Sequence, residues 1–187
     1  MLEFVRAYPG GLVMRKRAGG IAAGTLAMLM MLGGGGAAAQ QELKVGDRIG
    51  DWTFQCRALS ASETRCALVQ NIIDNETNRQ IIGVVLRKLG EDNEKLGLFV
   101  STPLGIFLGA GIAAKVDEGE QFPLILQTCT AQNGCLAAVE IDAKRLEALQ
   151  TGKRLLVGFK ARADAKTLTV PVSLDGVKEG LRALETK

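Results

Sequence analysis

The first 39 residues set the terms for the rest of this 187-residue chain. Arg15, Lys16 and Arg17 form a compact basic cluster. Ala18 to Leu32 carries no charge and is mostly Ala, Leu, Met and Ile, and Gly33 to Gly36 and Ala37-Ala38-Ala39 follow before Gln40. A basic start, a short apolar core and an Ala-x-Ala end describe a secretory signal peptide. An anchoring helix fits less well, because the apolar stretch of about 15 residues falls short of the roughly 20 that span a bilayer, and it ends in glycines, which are poor helix formers. Cleavage is expected between Ala39 and Gln40. Met14, directly before the basic cluster, is the expected true start, and no cysteine follows the junction to receive a lipid. Residues 40–187 then form one exported domain with no transmembrane segment.

Removing the leader changes the composition. Four of the 23 basic residues and one of the 20 acidic residues lie before Gln40, so 19 of each remain and the exported chain is neutral. That balance lends no support to nucleic-acid or anionic-membrane binding, which draws on a basic surface. The whole chain has no His, which removes Ser-His-Asp and Cys-His nucleophile pairs, imidazole bases and imidazole metal ligands together. No Tyr and only six aromatic residues remain after Gln40, too few for a base-stacking platform.

All four cysteines, Cys56, Cys66, Cys129 and Cys135, lie in the exported part. An even count in an exported chain reads as a disulfide framework. Of the three possible pairings, Cys56 with Cys66 and Cys129 with Cys135 is preferred, since each couple brackets a turn-like segment. A zinc site or a redox dithiol calls for Cys-x-x-Cys spacing, which spacings of ten and six do not provide.

Hydrophobic periodicity gives the architecture. Trp52, Phe54 and Cys56 alternate with Thr53 and Gln55, the period of a half-buried strand. Further strands are expected at 65–73, 81–89, 96–101, 122–130, 136–141, 155–161 and 168–174, with Pro171 marking an edge. The apolar run 105–114 reads as a central strand with close backbone contacts. Asn133-Gly134 marks a tight turn, and a Cys129–Cys135 bridge there requires a longer loop or a bulge. Asp142 caps a helix over 143–150 that Gly152 ends, and Val177, Leu181 and Leu184 stand at helical spacing near the C-terminus. About eight strands and two short helices make an antiparallel β-sandwich.

Several residues invite a chemical reading, and each has a plainer one. Trp52 beside Asp51 reads as a core anchor next to a turn residue. Arg87-Lys88, Lys144-Arg145 and Lys153-Arg154 read as solvated faces. Asp117, Glu118 and Glu120 lack the spacing of a calcium loop. Ser101 and Ser173 have no base partner, and a carboxylate-only hydrolase would need two acids opposed across a cleft.

The ordered segments Ile49-Gly50-Asp51-Trp52-Thr53 to Cys56, Cys66-Ala67-Leu68-Val69-Gln70, Pro103-Leu104-Gly105-Ile106 with Gly111-Ile112 and Val116-Asp117, Cys129 with Gly134-Cys135, and Val172-Ser173-Leu174-Asp175-Gly176 resemble the invasion-associated locus B family of exported bacterial proteins. Val177 departs from the aromatic residue often found there. The resemblance implies an all-β, immunoglobulin-like antiparallel β-sandwich with one or two short helices. It also implies two disulfides, a periplasmic, outer-membrane-associated or secreted location and, for some members, a part in host-cell entry. It brings no catalytic residues, metal or cofactor. The expected function is non-enzymatic recognition of a protein partner in the envelope or on a host cell, with a chaperone for unfolded envelope clients as the alternative.

Overall fold

The computed structural model describes residues 44–61, 63–90 and 94–185. The expected leader and the Ala39–Gln40 junction lie outside the described residues. The strands are β1 (Arg48–Ile49), β2 (Trp52–Ala58), β3 (Thr64–Ile73), β4 (Gln80–Leu89), β5 (Lys95–Thr102), β6 (Ile112–Val116), β7 (Phe122–Thr130), β8 (Gly134–Ile141), β9 (Arg154–Phe159) and β10 (Leu168–Ser173). Helix α1 (Ala143–Thr151) follows β8 and α2 (Val177–Glu185) follows β10. The all-β class with two short helices is the one the periodicity implies. The strand over Arg48–Ile49 is too short to show a period in sequence.

The ten strands make one continuous antiparallel ladder in the order β1-β2-β3-β4-β5-β8-β7-β6-β9-β10, curled into a half-barrel. Its two layers share β7. Phe122 to Leu124 pair with β6, whereas Ile125 to Thr130 pair with β8, past an irregularity between Leu126 and Thr128. A strand that changes layers at a corner is how two packed sheets become one folded sheet. Pro123 sits in the first half and lacks an N–H for a second neighbour, which suits a segment with a single partner.

Alternation drives the burial. Trp52, Phe54, Leu68, Ile82, Val84, Leu86, Leu98, Val100 and Ala137 from one layer and Ile112, Ala114, Leu155, Val157 and Val172 from the other belong to a single buried cluster. Burying a side chain of this kind contributes about 1.5–3 kcal/mol. Helix α1 begins at Asp142, whose carboxylate accepts from Arg145 N at 2.8 Å, a cap contributing about 1 kcal/mol. Helix α2 lays Val177, Leu181 and Leu184 inward. Its Gly180 faces Leu68 with no room for a Cβ.

The curl is fastened where the N-terminal strands meet the end of β10. The Trp52 indole N–H donates to Ser173 O at 2.9 Å. The buried Gln70 amide accepts from Ser173 N at 3.1 Å and donates to Asp51 O at 3.1 Å and to Ser173 O at 3.3 Å. Asp51 N donates to Asp175 O at 3.2 Å. Gly176, at φ +90°, presses against the Ile49 carbonyl, where a Cβ would clash. The two motifs at the ends of the domain, 49–53 and 172–176, are thus halves of one clamp.

The strand expected over 105–114 forms only in its last part, as the central strand β6 between β7 and β9. Residues 105–111 form a loop with a single 3-10 turn at Leu108–Ala110, and the strand starts only at Ile112. Gly105 and Gly111 both take positive φ, which breaks the extended backbone that the apolar composition suggests. Leu104, Phe107 and Leu108 are exposed as a result.

Candidate interaction surface

Strand register places one uninterrupted row on the outer face of the first layer. Thr53 pairs with Val69, Val69 with Val85, Val85 with Phe99, Phe99 with Ala138 and Ala138 with Ile125. Direct cross-strand neighbours have Cβ atoms about 4.5–5.5 Å apart, so the side chains from Val69 to Ile125 form a continuous apolar band. Val69, Val85, Phe99 and Ala138 are half-buried, and Ile125 is 68% exposed. Inner-face neighbours such as Leu68, Leu86 and Leu98 are fully buried. A row with Asn71, Gly83, Ser101 and Thr128, interrupted by the apolar Leu136, borders the band on one side.

The other border is basic. Arg57 stands directly opposite Arg65, and Arg87 is opposite Ala67, one pair further along the same face. Gly97, opposite Arg87, leaves space into which the Phe99 ring and Leu89 fold, and the Arg87 guanidinium lies 4.3 Å above that ring. Burial, and then the charge of Arg65, lowers the Arg87 pKa from its ordinary value. Among the described residues only Arg65 of the three has a carboxylate, Glu63 at 2.8 Å; Lys95 pairs with Glu140 at 3.0 Å. Among the described residues, Arg57 and Arg87 have no acidic partner. Like charges opposed across strands are destabilising, so this arrangement is complementary to an external anion.

The residues singled out in sequence fall elsewhere. The Sγ atoms of Cys56 and Cys66 lie 2.04 Å apart and those of Cys129 and Cys135 2.07 Å apart, both at bonding distance. Each couple is a directly opposed cross-strand pair. Cys129 and Cys135 come into register because residues 131–133 form a three-residue loop and Gly134 takes φ +72° opposite Thr130. Trp52 is a buried anchor and Asp51 an exposed turn residue.

Asp117, Glu118 and Glu120 diverge. The Asp117 carboxylate accepts from Lys153 N at 2.9 Å and Arg154 N at 3.0 Å. Glu118 pairs with Lys115, and Glu120 with Lys144. The Lys153 and Arg154 amides hold the Asp117 pKa below the ordinary carboxylate value, the Lys153 bond most strongly. The Lys144 hydrogen bond does the same for Glu120. A depression of about 370 Å³ between α1 and the start of β7 is lined by Phe122, Lys144 and Arg145. Its charges are already matched, Lys144 to Glu120 and Arg145 to Asp142, with Arg145 also over Phe122 at 4.8 Å. Ser101 Oγ contacts the Gly83 carbonyl and Gln80, and the Ser173 hydroxyl accepts from Asp175 N.

Arg57, Arg65 and Phe99 carry the outer surface and do not stand out in sequence. A signal for two of them was present: a directly opposed Cys56–Cys66 couple also sets Arg57 against Arg65.

Known proteins resemble this chain in sequence and in fold. Residues 52–185 match the sequence profile of the invasion associated locus B (IalB) protein family. Two invasion protein B homologs, from Brucella abortus strain 2308 and from Brucella abortus biovar 1 strain 9-941, are each 28% identical over 135 residues, covering 72% of this chain and 76% of theirs. The crystal structure of invasion associated protein B from Bartonella henselae shares the fold, with a TM-score of 0.66 and 22% identity over 75% of this chain and 94% of that one. The match begins at Trp52, whose indole closes the clamp, and extends through α2, which packs behind Leu68. The chain belongs to the invasion associated locus B family.

Proposed function

We propose that this chain is an exported, non-enzymatic envelope protein that recognises a protein partner, in the envelope or on a host cell, through the outer face of its first layer. The observation that carries the reading is the apolar band from Val69 to Ile125 bordered by Arg57 and Arg87, two cations without carboxylates among the described residues. An apolar strip with a charged rim is the usual anatomy of a protein interface, and arginine is the cation best suited to it. The partner presents an acidic edge beside an apolar surface. The names of the Brucella relatives support a link to invasion.

A photo-crosslinker replacing Val85 in intact cells tests the site. One discrete adduct is expected, lost in Arg87→Glu and absent when the crosslinker replaces Lys178 on α2. Equal adducts from both positions would refute the assignment. Export has its own tests. N-terminal sequencing should find Gln40 first, and a chain starting at Met1 or Met14 would refute cleavage. Mass spectrometry of non-reduced peptides should link Cys56 to Cys66 and Cys129 to Cys135.

The exposure of Leu104, Phe107 and Leu108 favours the second reading, a chaperone for unfolded envelope clients. That reading requires the protein to slow the aggregation of an unfolded client in proportion to its concentration.

A further inference from the structure

The loop from Pro103 to Gly111 has no counterpart in the recognition surface. No charged residue occurs from Pro103 to Ala114. Leu104 and Leu108 are each 53% exposed and Phe107 39%. The loop is nevertheless ordered by its own backbone: Ala110 N donates to Phe107 O, Gly111 N to Leu108 O, and Phe107 N to Lys160 O at 2.7 Å. That last bond ties it to the β9–β10 hairpin, where Leu168, also 53% exposed, pairs with Phe159. A cavity of about 180 Å³ runs from Ala110 and Gly111 across β6 and β9 to Lys160 and Thr167 of the hairpin.

The hairpin segment 160–168 carries Lys160, Arg162 and Lys166 against the single acid Asp164. Asp164 is engaged by Arg162 at 3.4 Å. The neutral balance of the exported chain therefore conceals a local excess of positive charge beside an apolar tip.

We propose that this tip docks the protein on the surface of an anionic lipid bilayer. Leu104, Phe107, Leu108 and Leu168 enter the boundary between headgroups and acyl chains, and Lys160 and Lys166 meet the phosphates. Exposed apolar side chains on the loop, with cations on the adjoining hairpin and no acid in the loop, match the layering of such a surface, apolar beneath and negative above. A protein groove would also accept the apolar side chains, but the flanking lysines are explained by the headgroups. The inference is independent of the outer face of the first layer, which carries none of these residues.

The test is co-sedimentation of the protein, prepared by bacterial export, with phosphatidylethanolamine vesicles containing phosphatidylglycerol and with pure phosphatidylcholine vesicles. The wild type should bind the anionic vesicles more tightly, and less so as salt rises. Combined Phe107→Asp and Leu108→Asp should weaken binding at least about tenfold per substitution. Combined Lys160→Glu and Lys166→Glu should weaken it by about tenfold or more on anionic vesicles only. All the proteins share one N-terminus, so the differences report the loop and the hairpin. Phe107→Trp keeps the tip apolar if the aspartate variant fails to fold. Against the single native Trp52, buried in the core, the emission of the introduced indole should shift to the blue on anionic vesicles. Absence of wild-type binding, unaltered binding by the aspartate variant, or an unchanged emission spectrum of the Phe107→Trp variant would overturn the proposal. So would protection of unfolded clients, lost in the aspartate variant, without vesicle binding, which would assign the loop to client capture.

Discussion

Gly176 and Gly105 have almost the same backbone angle, φ +90° and +92°, and opposite surroundings. At Gly176 the space of a Cβ is occupied by the Ile49 carbonyl, whereas at Gly105 nothing lies within 4 Å. The first glycine lets two distant segments touch and fastens the curled sheet. The second turns a loop outward and leaves apolar side chains in solvent. Left-handed backbone is a requirement in both places, but contact is a requirement only at the clamp. One glycine serves stability, and the other serves display.

The largest expected effect tests that difference. Gly176→Ala adds a backbone clash to the left-handed penalty and should cost about 3 kcal/mol or more. Gly105→Ala carries only the conformational term, about 1–2 kcal/mol. Thermal melts of the two proteins would break the comparison if their losses were equal. Gln70→Ala probes the same clamp. It strips partners from Ser173 N and Asp51 O within the clamp and should cost about 1–3 kcal/mol. A loss within error of zero would mean that water replaces the amide and that the clamp rests on Trp52 and the glycine contacts alone.

The cysteine couples carry the contrast to the two hairpins. Replacing either couple by serines should cost about 2–3 kcal/mol, slightly more for the longer Cys56–Cys66 loop. The Cys56–Cys66 hairpin lies in a layer fastened by the clamp, and Ile72 and Ile82 continue its ladder. The Cys129–Cys135 hairpin holds the half of β7 that β6 does not pair. Hydrogen exchange should therefore rise locally around Ile125 to Thr130 in the second variant. A uniform rise across the domain would show that the corner is not a separate unit.

These same places mark the limits of what was legible in the chain. Period-two alternation located most strands and the inward set from Trp52 to Val172, because burial on one face leaves that imprint directly. The caps at Asp142 and Gly152 were legible for the same local reason. The loop at 105–111 was not, since an apolar run with glycines has the composition of a buried strand, and only the absence of neighbours distinguishes it. The outer surface was hidden differently. Arg57, Arg65 and Phe99 are ordinary residues until register brings them onto one face with Arg87, and register is a long-range property. The clamp appeared as two motifs whose contact spans the whole domain.

Asp117 supplies the smallest effect and a third kind of turn. It too has positive φ, +47°, without being glycine. Its carboxylate compensates by accepting from Lys153 N and Arg154 N, which tethers the turn after β6 to the start of β9. Those bonds favour the charged form, so its folded pKa lies below the unfolded one. The stabilisation is then fully present above the ordinary carboxylate pKa of about 3.9 and is lost as pH falls through the lowered folded value. Asp117→Asn keeps the size of the side chain but offers a single acceptor oxygen, so it should melt slightly below the wild type at neutral pH. The gap should close on acidification, as the wild type protonates and loses the same bonds. Asp74, whose pKa is also lowered by its own turn, titrates in both proteins and drops out of the difference. Paired melts from neutral pH to below about pH 3 decide the matter. A gap that stays constant would mean that the turn is held by shape, as at Gly105, whereas a closing gap makes it a turn held by charge.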